Sequence, residues 1–244
     1  MKSSKFKERL YRRRMASADL YSRRICIQET DLQVLTDKSI ETDYLKKRIR
    51  FYRGQIEDYI GSDRRFLTSL KPIPVELKSH PVIRRMAQAA KAANVGPMAA
   101  VAGAMAEFIG RDLLKRGCRQ VIIENGGDIF LKVQRPRKVA IYAGGKKAWG
   151  NLAIKIYPAH TPLGICTSSG VIGHSLSFGS ADCVVVLSKN ASLADVVATA
   201  TCNRIRSKED LRGALDFARS IRGISAVVAI FSDALLSWGE LEFC

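Results

Sequence analysis

Residues 121–133 read Val-Ile-Ile-Glu-Asn-Gly-Gly-Asp-Ile-Phe-Leu-Lys-Val. Two short apolar runs flank the tetrapeptide Asn125-Gly126-Gly127-Asp128. Asn and Gly are the residues that accept positive φ, so the pattern predicts a strand over 121–124, a tight turn and a returning strand over 129–133. The two glycines also let backbone approach a ligand closely. The flanking carboxylates Glu124 and Asp128 could orient a ribose, a base or a metal. A plain type I′ hairpin turn accounts for the same residues.

Working outward, Gly96-Pro97 opens a predicted helix that runs to about residue 115, with Gly117 as its C-terminal cap. Its segment Met-Ala-Ala-Val-Ala-Gly-Ala-Met-Ala-Glu-Phe-Ile-Gly (98–110) is small and apolar on nearly every side, as a buried, closely packed helix requires. Pro97 at the first helical position would leave the amides of Met98 and Ala99 free, and a helix N-terminus favours anions. Gly96, Met98 and Ala99 are therefore candidate anion-binding positions. Further upstream, residues 24–29 and 32–35 read as a strand pair. A helix over 40–59 carries the stripe Leu45, Ile49, Tyr52 and Ile56. Gly61, Pro72 and Pro74 break the chain, and 84–93 is Ala-rich and helical. Downstream, strands are expected at 139–143, 152–157, 163–167, 182–188 and 226–231. Helices are expected at 193–204 and 208–221, the second introduced by Ser207 and Asp210 as a capping box. Strands mixed with helices without strict alternation favour α+β over a Rossmann fold, and Gly126-Gly127 does not satisfy GxGxxG.

The 244 residues are 47% apolar, enough to bury a sizeable core. The net charge of +17 invites a nucleic-acid reading. Much of the excess lies in Lys2, Lys5, Lys7, Arg9, Arg12, Arg13 and Arg14, and in Arg23, Arg24, Lys46, Lys47, Arg48, Arg50 and Arg53. Few aromatics are placed among them for base stacking, and no zinc-finger or RNP-like spacing accompanies them. A basic tail and a solvated helix face, or a field that attracts a small anionic ligand, fit better than a specific nucleic-acid site. The six cysteines form no CxxC pair, which fits a reducing cytosol rather than a zinc or thioredoxin motif. The basic start lacks a following apolar region, so a secretory signal is not expected. The most apolar run, residues 95–109, is too short to span a bilayer. The expectation is a cytoplasmic chain without membrane partners; a homodimer is compatible with it.

Three further constellations carry possible chemistry. Cys166-Thr167-Ser168-Ser169-Gly170 ends a strand, and its hydroxyls and amides could cradle an anion. An ordinary polar turn would look the same. Asp195 and Thr199, four apart, share a helical face as hard oxygen ligands suited to Mg²⁺. Alternatively, Ser192 and Asp195 form a capping box with Thr199 packed inside. His174, in Gly173-His174-Ser175, is either polar surface or a proton acceptor. Cys166 and Cys118 would be sulfur-carrying candidates if exposed and depressed in pKa, or small buried hydrophobes.

In order, a Gly-Gly-Asp turn, a strand-end Ser-Ser-Gly, a histidine loop closing on glycine, a buried strand and Ala-Asp-x-x-Ala-Thr resemble the ApbE-type FAD:protein FMN transferases. The resembling stretch covers residues 121–205. Glu-Thr-Asp-Leu (29–32), Gly-Pro-Met-Ala-Ala-Val-Ala-Gly (96–103) and Glu-Asn-Gly-Gly-Asp-Ile-Phe (124–130) resemble a shorter cytosolic branch of that superfamily over nearly the whole chain. The resemblance implies one α+β domain with a mixed or antiparallel sheet and packed helices. Within it, 1–18 would be a basic tail, 19–94 a strand-helix part and 95–244 the motif-bearing core. It implies Asp195 and Thr199 as Mg²⁺ ligands beside the FAD diphosphate. Gly126, Gly127 and Asp128 would lie near the flavin nucleotide, and Thr167, Ser168, Ser169 and Gly170 beside the cofactor. His174 would match the histidine of the family's H-x-x-D-P-x-T-G loop. Residues 173–179, Gly-His-Ser-Leu-Ser-Phe-Gly, are shorter than that loop and lack its Asp-Pro, with Ser177 where a carboxylate is expected. The resemblance therefore implies a flavin- or nucleotide- and Mg²⁺-binding protein, with transferase activity as its enzymatic form. Sulfur handling and non-catalytic nucleotide sensing are the alternatives.

Overall fold

The computed structural model describes residues 19–143, 149–170 and 179–244. The chain begins with a hairpin, β1 (Tyr21–Ile27) and β2 (Thr30–Thr36), turning at Gln28 with φ 50°. Helix α1 (Thr42–Ser62) follows and buries Leu45, Ile49, Tyr52 and Ile56, the stripe read from the sequence. A short helix α2 (Arg65–Thr68) and α3 (Pro81–Ala93) come next. Pro81 opens α3 behind His80, whose ring nitrogen accepts from Val82 N, and Asn94 closes it at φ 54°.

The helix expected to open at Pro97 is broken. Pro97–Ala100 forms a single tight 3₁₀ turn, and α4 (Val101–Lys115) starts only afterwards. Gly96 is wedged against the Ser69 carbonyl, where a Cβ would lie 1.8 Å from the oxygen. That contact fixes the chain's direction into the turn. Gly117, at φ 89°, follows the end of α4 as expected.

β3 (Val121–Asn125) and β4 (Asp128–Lys132) pair with Asn125 opposite Asp128, so the turn is two residues long. Gly126 and Gly127 have φ 70° and 107°, the left-handed pair that a type I′ turn demands. Then come β5 (Arg137–Ala140), β6 (Ala153–Ile156), β7 (Leu163–Ser168), β8 (Cys183–Ser188), α5 (Ala191–Cys202), α6 (Asp210–Ser220), β9 (Ile224–Phe231) and β10 (Ala234–Gly239). The last strand was not expected. It is mostly exposed, so it lacks the strong apolar alternation that marks the others.

Eight strands form one antiparallel sheet in the order β1-β2-β3-β4-β7-β8-β9-β10, while β5 and β6 pair separately. The fold is α+β. Alternate residues along each strand divide the core between two faces. Val121, Ile123, Phe130, Cys166, Val184 and Val186 join α1, α3, α4 and α5 in the larger cluster. Ile122, Ile129, Ile165, Val185 and Val228 pack under β5 and β6 on the other face. Phe130 is fully buried, with its ring seated where a Cβ on Gly110 would intrude to 2.3 Å. Burying such a side chain contributes about 1.5–3 kcal/mol. No single helix among the described residues is long and apolar enough to cross a membrane.

Candidate functional site

The β3–β4 turn is tied down from three sides. Glu124 Oε1 accepts from Gly127 N at 2.8 Å. Asp128 Oδ1 accepts from the backbone N of Thr167, on β7, at 3.2 Å. Asn125 Nδ2 donates to the Ala102 carbonyl at 3.2 Å, joining the turn to the start of α4. A Cβ added at Gly127 would lie 3.8 Å from Thr167 Cβ, an ordinary contact, so Thr167 borders the turn and glycine is required there by its φ of 107° rather than for space. The turn and the strand-end segment that the sequence singled out separately are thus neighbours in space.

Helix α5 delivers the third element. Its N-cap is Asn190, whose side chain accepts from Leu193 N at 3.1 Å. Asp195 therefore does not cap its own helix, and the Ser192–Asp195 capping box is not formed. Instead Asp195 Oδ2 accepts from Gly103 N, at the opening of α4, at 2.8 Å. Burial, and then the charge of Asp128, push the Asp195 carboxyl well above the usual carboxylate range, against the lowering effect of hydrogen bonds from Gly103 and Ala102. Thr199, one turn further along α5, is half-buried.

Two buried carboxylates in each other's field repel unless a proton or a cation stands between them. Their oxygens, with the Thr199 hydroxyl, are hard donors of the kind Mg²⁺ prefers. No cluster of three or more His, Cys, Asp or Glu side chains suited to a metal is found among the described residues. A cation here would complete its shell from backbone oxygen, ligand and water, which is how Mg²⁺ is commonly held. The residues present fit that ion.

Ser168 is buried, Ser169 half-buried and Gly170 exposed at the end of β7. A Cβ on Gly170 would meet the Gly179 carbonyl at 1.9 Å, and one on Gly179 would meet the Cys202 carbonyl at 1.8 Å. Gly170 N also donates to Ala181 O at 2.9 Å. Glycine at both positions therefore lets the base of the histidine loop close onto the end of α5. His174 and Ser177 lie outside the described residues.

The anion seat expected at Met98 and Ala99 rested on an α-helix opening at Pro97; a 3₁₀ turn opens there instead. Ala99 N is taken by Gly96 O at 3.2 Å within the 3₁₀ turn. Met98 is half-buried in the same turn, and Gly96 is buried against Ser69. The helix end that does face the carboxylates is that of α4, and its donors, Ala102 and Gly103, serve Asp195.

The two candidate cysteines, Cys166 and Cys118, read as small buried hydrophobes. Cys166 is fully buried, and its thiol donates to Ala191 O at 3.3 Å. Burial, then the charges of Asp128 and Asp195, push it well up. Cys118 is buried and raised by burial and then by Asp37. Thiols held protonated and out of solvent are the opposite of what sulfur carriage needs. Sequence reasoning gave no role to Gly103 and Glu107, and read Asn125 only as a turn residue. A lone carboxylate inside the otherwise apolar run 98–110 was the available signal for Glu107.

The eight-stranded antiparallel sheet with its packed helices matches the fold of solved ApbE structures. The flavin transferase ApbE from Vibrio cholerae is similar with a TM-score of 0.61 at 13% identity, covering 91% of this chain and 97% of that one. The flavinyl transferase ApbE of Pseudomonas stutzeri, in its apo form, is similar with a TM-score of 0.60 at 12% identity, over 90% and 94% of the two chains. The family model described as "AbpE bacteria" matches residues 12–228, and the chain belongs to that family. Relatives named UPF0280 protein are 37% identical over 223 residues in Methanococcus aeolicus, covering 90% of each chain, and 37% identical over 231 residues in Methanocaldococcus jannaschii, covering 91% of each.

Proposed function

We propose that the protein binds a flavin nucleotide such as FAD together with Mg²⁺, with Asp128, Asp195 and Thr199 as the cation's side-chain ligands and the strand-end segment 167–170 beside the nucleotide. The observation that carries this reading is the pair of buried carboxylates from two separate elements, Asp128 beside the Gly-Gly turn and Asp195 on α5, each within the other's field. The fold likeness to flavin transferases of V. cholerae and P. stutzeri supports the choice of ligand. The net charge of +17 adds a field that draws an anion in. A specific nucleic-acid site and a membrane partner form no part of the proposal.

The enzymatic form of the reading is FMN transfer. An acceptor hydroxyl oxygen bonds to the FMN phosphorus, the pyrophosphate bond breaks, and AMP leaves. A bound cation supplies neutralisation of the diphosphate charge. Asp128 and Asp195 would hold that cation, and the Gly126-Gly127 turn and the strand end 167–170 would flank the nucleotide, with the Gly127 and Thr167 amides already serving Glu124 and Asp128. The hydroxyl's proton would go to the imidazole of His174. Ser177 cannot take that proton as a carboxylate would. The protein accordingly binds FAD but transfers FMN slowly.

The test mixes purified protein, FAD, Mg²⁺ and candidate flavin-accepting peptides, and reads covalent flavin fluorescence after denaturation. Slow labelling that disappears in His174→Ala and Asp195→Ala is the expected result. Fast labelling would show that the missing carboxylate matters little. No labelling alongside firm FAD binding would leave a nucleotide-binding protein without turnover. Neither binding nor labelling would end the reading.

A further inference from the structure

Ala191, the first residue of α5, is gripped by two elements at once. Its N–H donates to Glu107 Oε2 of α4 at 2.8 Å, and its carbonyl accepts the Cys166 thiol of β7 at 3.3 Å. On the β7 side a Cβ on Gly164 would come within 2.4 Å of Ala191 Cα. On the α4 side a Cβ on Gly103 would come within 2.5 Å of Ala191 O and 3.0 Å of Asp195 Cβ. Glu107 is 1% exposed, and Oε1 is paired with Arg111 one turn away at 2.8 Å.

Helices α4 and α5 therefore exchange carboxylates. Asp195 of α5 accepts from an amide at the opening of α4, and Glu107 of α4 accepts from the opening amide of α5. Each carboxylate meets the positive end of the other helix. The pattern requires glycine at 103, because any side chain there would part the helices.

We infer that Glu107 is a positioning residue for the Asp195 site. It fixes the height and rotation of α5 one turn before Asp195, and so sets where that carboxylate stands relative to Asp128. A one-residue slip of a helix moves a side chain by about 1.5 Å and turns it by about 100°. Such a slip would carry Asp195 away from both Gly103 and Asp128. The inference rests on the reading of Asp128 and Asp195 as a cation seat, yet its core, control of the Asp195–Gly103 bond, can be measured without any ligand.

The experiment compares Glu107→Gln, Glu107→Asp and Glu107→Leu in the full chain. Gln keeps an acceptor at the right reach but loses the charge. Asp keeps the charge but falls one methylene short of Ala191 N. Leu removes both, and if it does not fold, the Gln–Asp contrast carries the test. The first readout is hydrogen exchange at the Gly103 amide, with Val228 as a remote core reference; the second is Mg²⁺ affinity by calorimetry. Glu107→Asp and Glu107→Leu are expected to speed exchange at Gly103 by about tenfold relative to Val228 and to weaken Mg²⁺ by a similar factor. Glu107→Gln is expected to stay within about threefold of the native protein on both. Unchanged Gly103 exchange in Glu107→Asp, or equal acceleration at Gly103 and Val228, would overturn the positioning role. A normal Gly103 response in a protein that never binds Mg²⁺ would leave the positioning role standing and sink the cation reading instead.

Discussion

Glu107 and Asp195 do the same backbone work in different electrostatic company. Both are buried, both sit on apolar helices, and each accepts from the first turn of the other's helix. Glu107 has a guanidinium beside it, Arg111 at 2.8 Å. Asp195 has a second carboxylate in its field, Asp128, which together with burial drives its pKa up. A fold that merely needed two helix caps could satisfy both in the first way. A buried carboxylate left facing another carboxylate is a cost of the kind that active and binding sites carry. That difference is the observation on which the proposed cation seat rests.

The comparison can be broken first at its hinge. Gly103→Ala would drive a Cβ to 2.5 Å from Ala191 O and part α4 from α5. Overpacking of this kind costs about 1–3 kcal/mol, and denaturant unfolding should show that loss. An unchanged midpoint would mean the two helices can separate freely.

Arg111→Met would make Glu107 resemble Asp195 by stripping its cation. Breaking a fully buried pair costs about 3–5 kcal/mol, but Arg111 is 44% exposed, so screening reduces the expected loss to about 1–2 kcal/mol. A smaller loss would indicate that the helix end alone balances Glu107.

The opposite change, Asp195→Asn, should raise the stability of the ligand-free protein by on the order of 1 kcal/mol, since the amide oxygen still accepts from Gly103 while the repulsion from Asp128 ends. Its pH dependence follows from the raised pKa. In the native protein, protonated Asp195 contributes stability that is fully present below the unfolded carboxyl value, about 3.9, and is lost as pH rises through the elevated folded value. The stability difference between Asp195→Asn and native protein should therefore grow with pH above 4 and level off once Asp195 is ionised. Thermal melts across that range check the sign; a difference that shrinks with pH would contradict the raised pKa.

The smallest effect concerns the thiols near and far from this pair. Of the six cysteines, only Cys26 and Cys244 are exposed. Titration of the native protein with a chromogenic disulfide should release those two promptly and the four buried thiols only on unfolding. Prompt reaction of Cys166 would show that the region opens readily.

Much of the fold was legible because local chemistry and global role agree. The Asn-Gly-Gly-Asp turn can hardly be anything but a tight hairpin, and the α1 stripe names its own buried face. The break at Pro97 was not legible: Pro97 suits the first position of a 3₁₀ turn as well as of an α-helix, and the Ser69 contact that decides the matter is remote in sequence. β10 was missed because an exposed edge strand needs little apolar alternation. For the site, i,i+4 spacing placed Asp195 and Thr199 on one face, yet the same residues fitted a capping box. Only the structure shows Asn190 taking that duty and leaving Asp195 to reach α4. The roles of Gly103 and Glu107 depend on two helices meeting, which no local pattern encodes.

The central claim, that Asp128 and Asp195 await a cation accompanying a nucleotide, is tested most directly by calorimetric titration of FAD into the native protein, Asp128→Asn and Asp195→Asn, with Mg²⁺ and with a chelator. FAD binding that needs Mg²⁺ in the native protein, and that weakens at least about tenfold in each variant, about 1.4 kcal/mol, is the predicted result. FAD binding of equal strength with chelator, or undiminished in both variants, would contradict the claim.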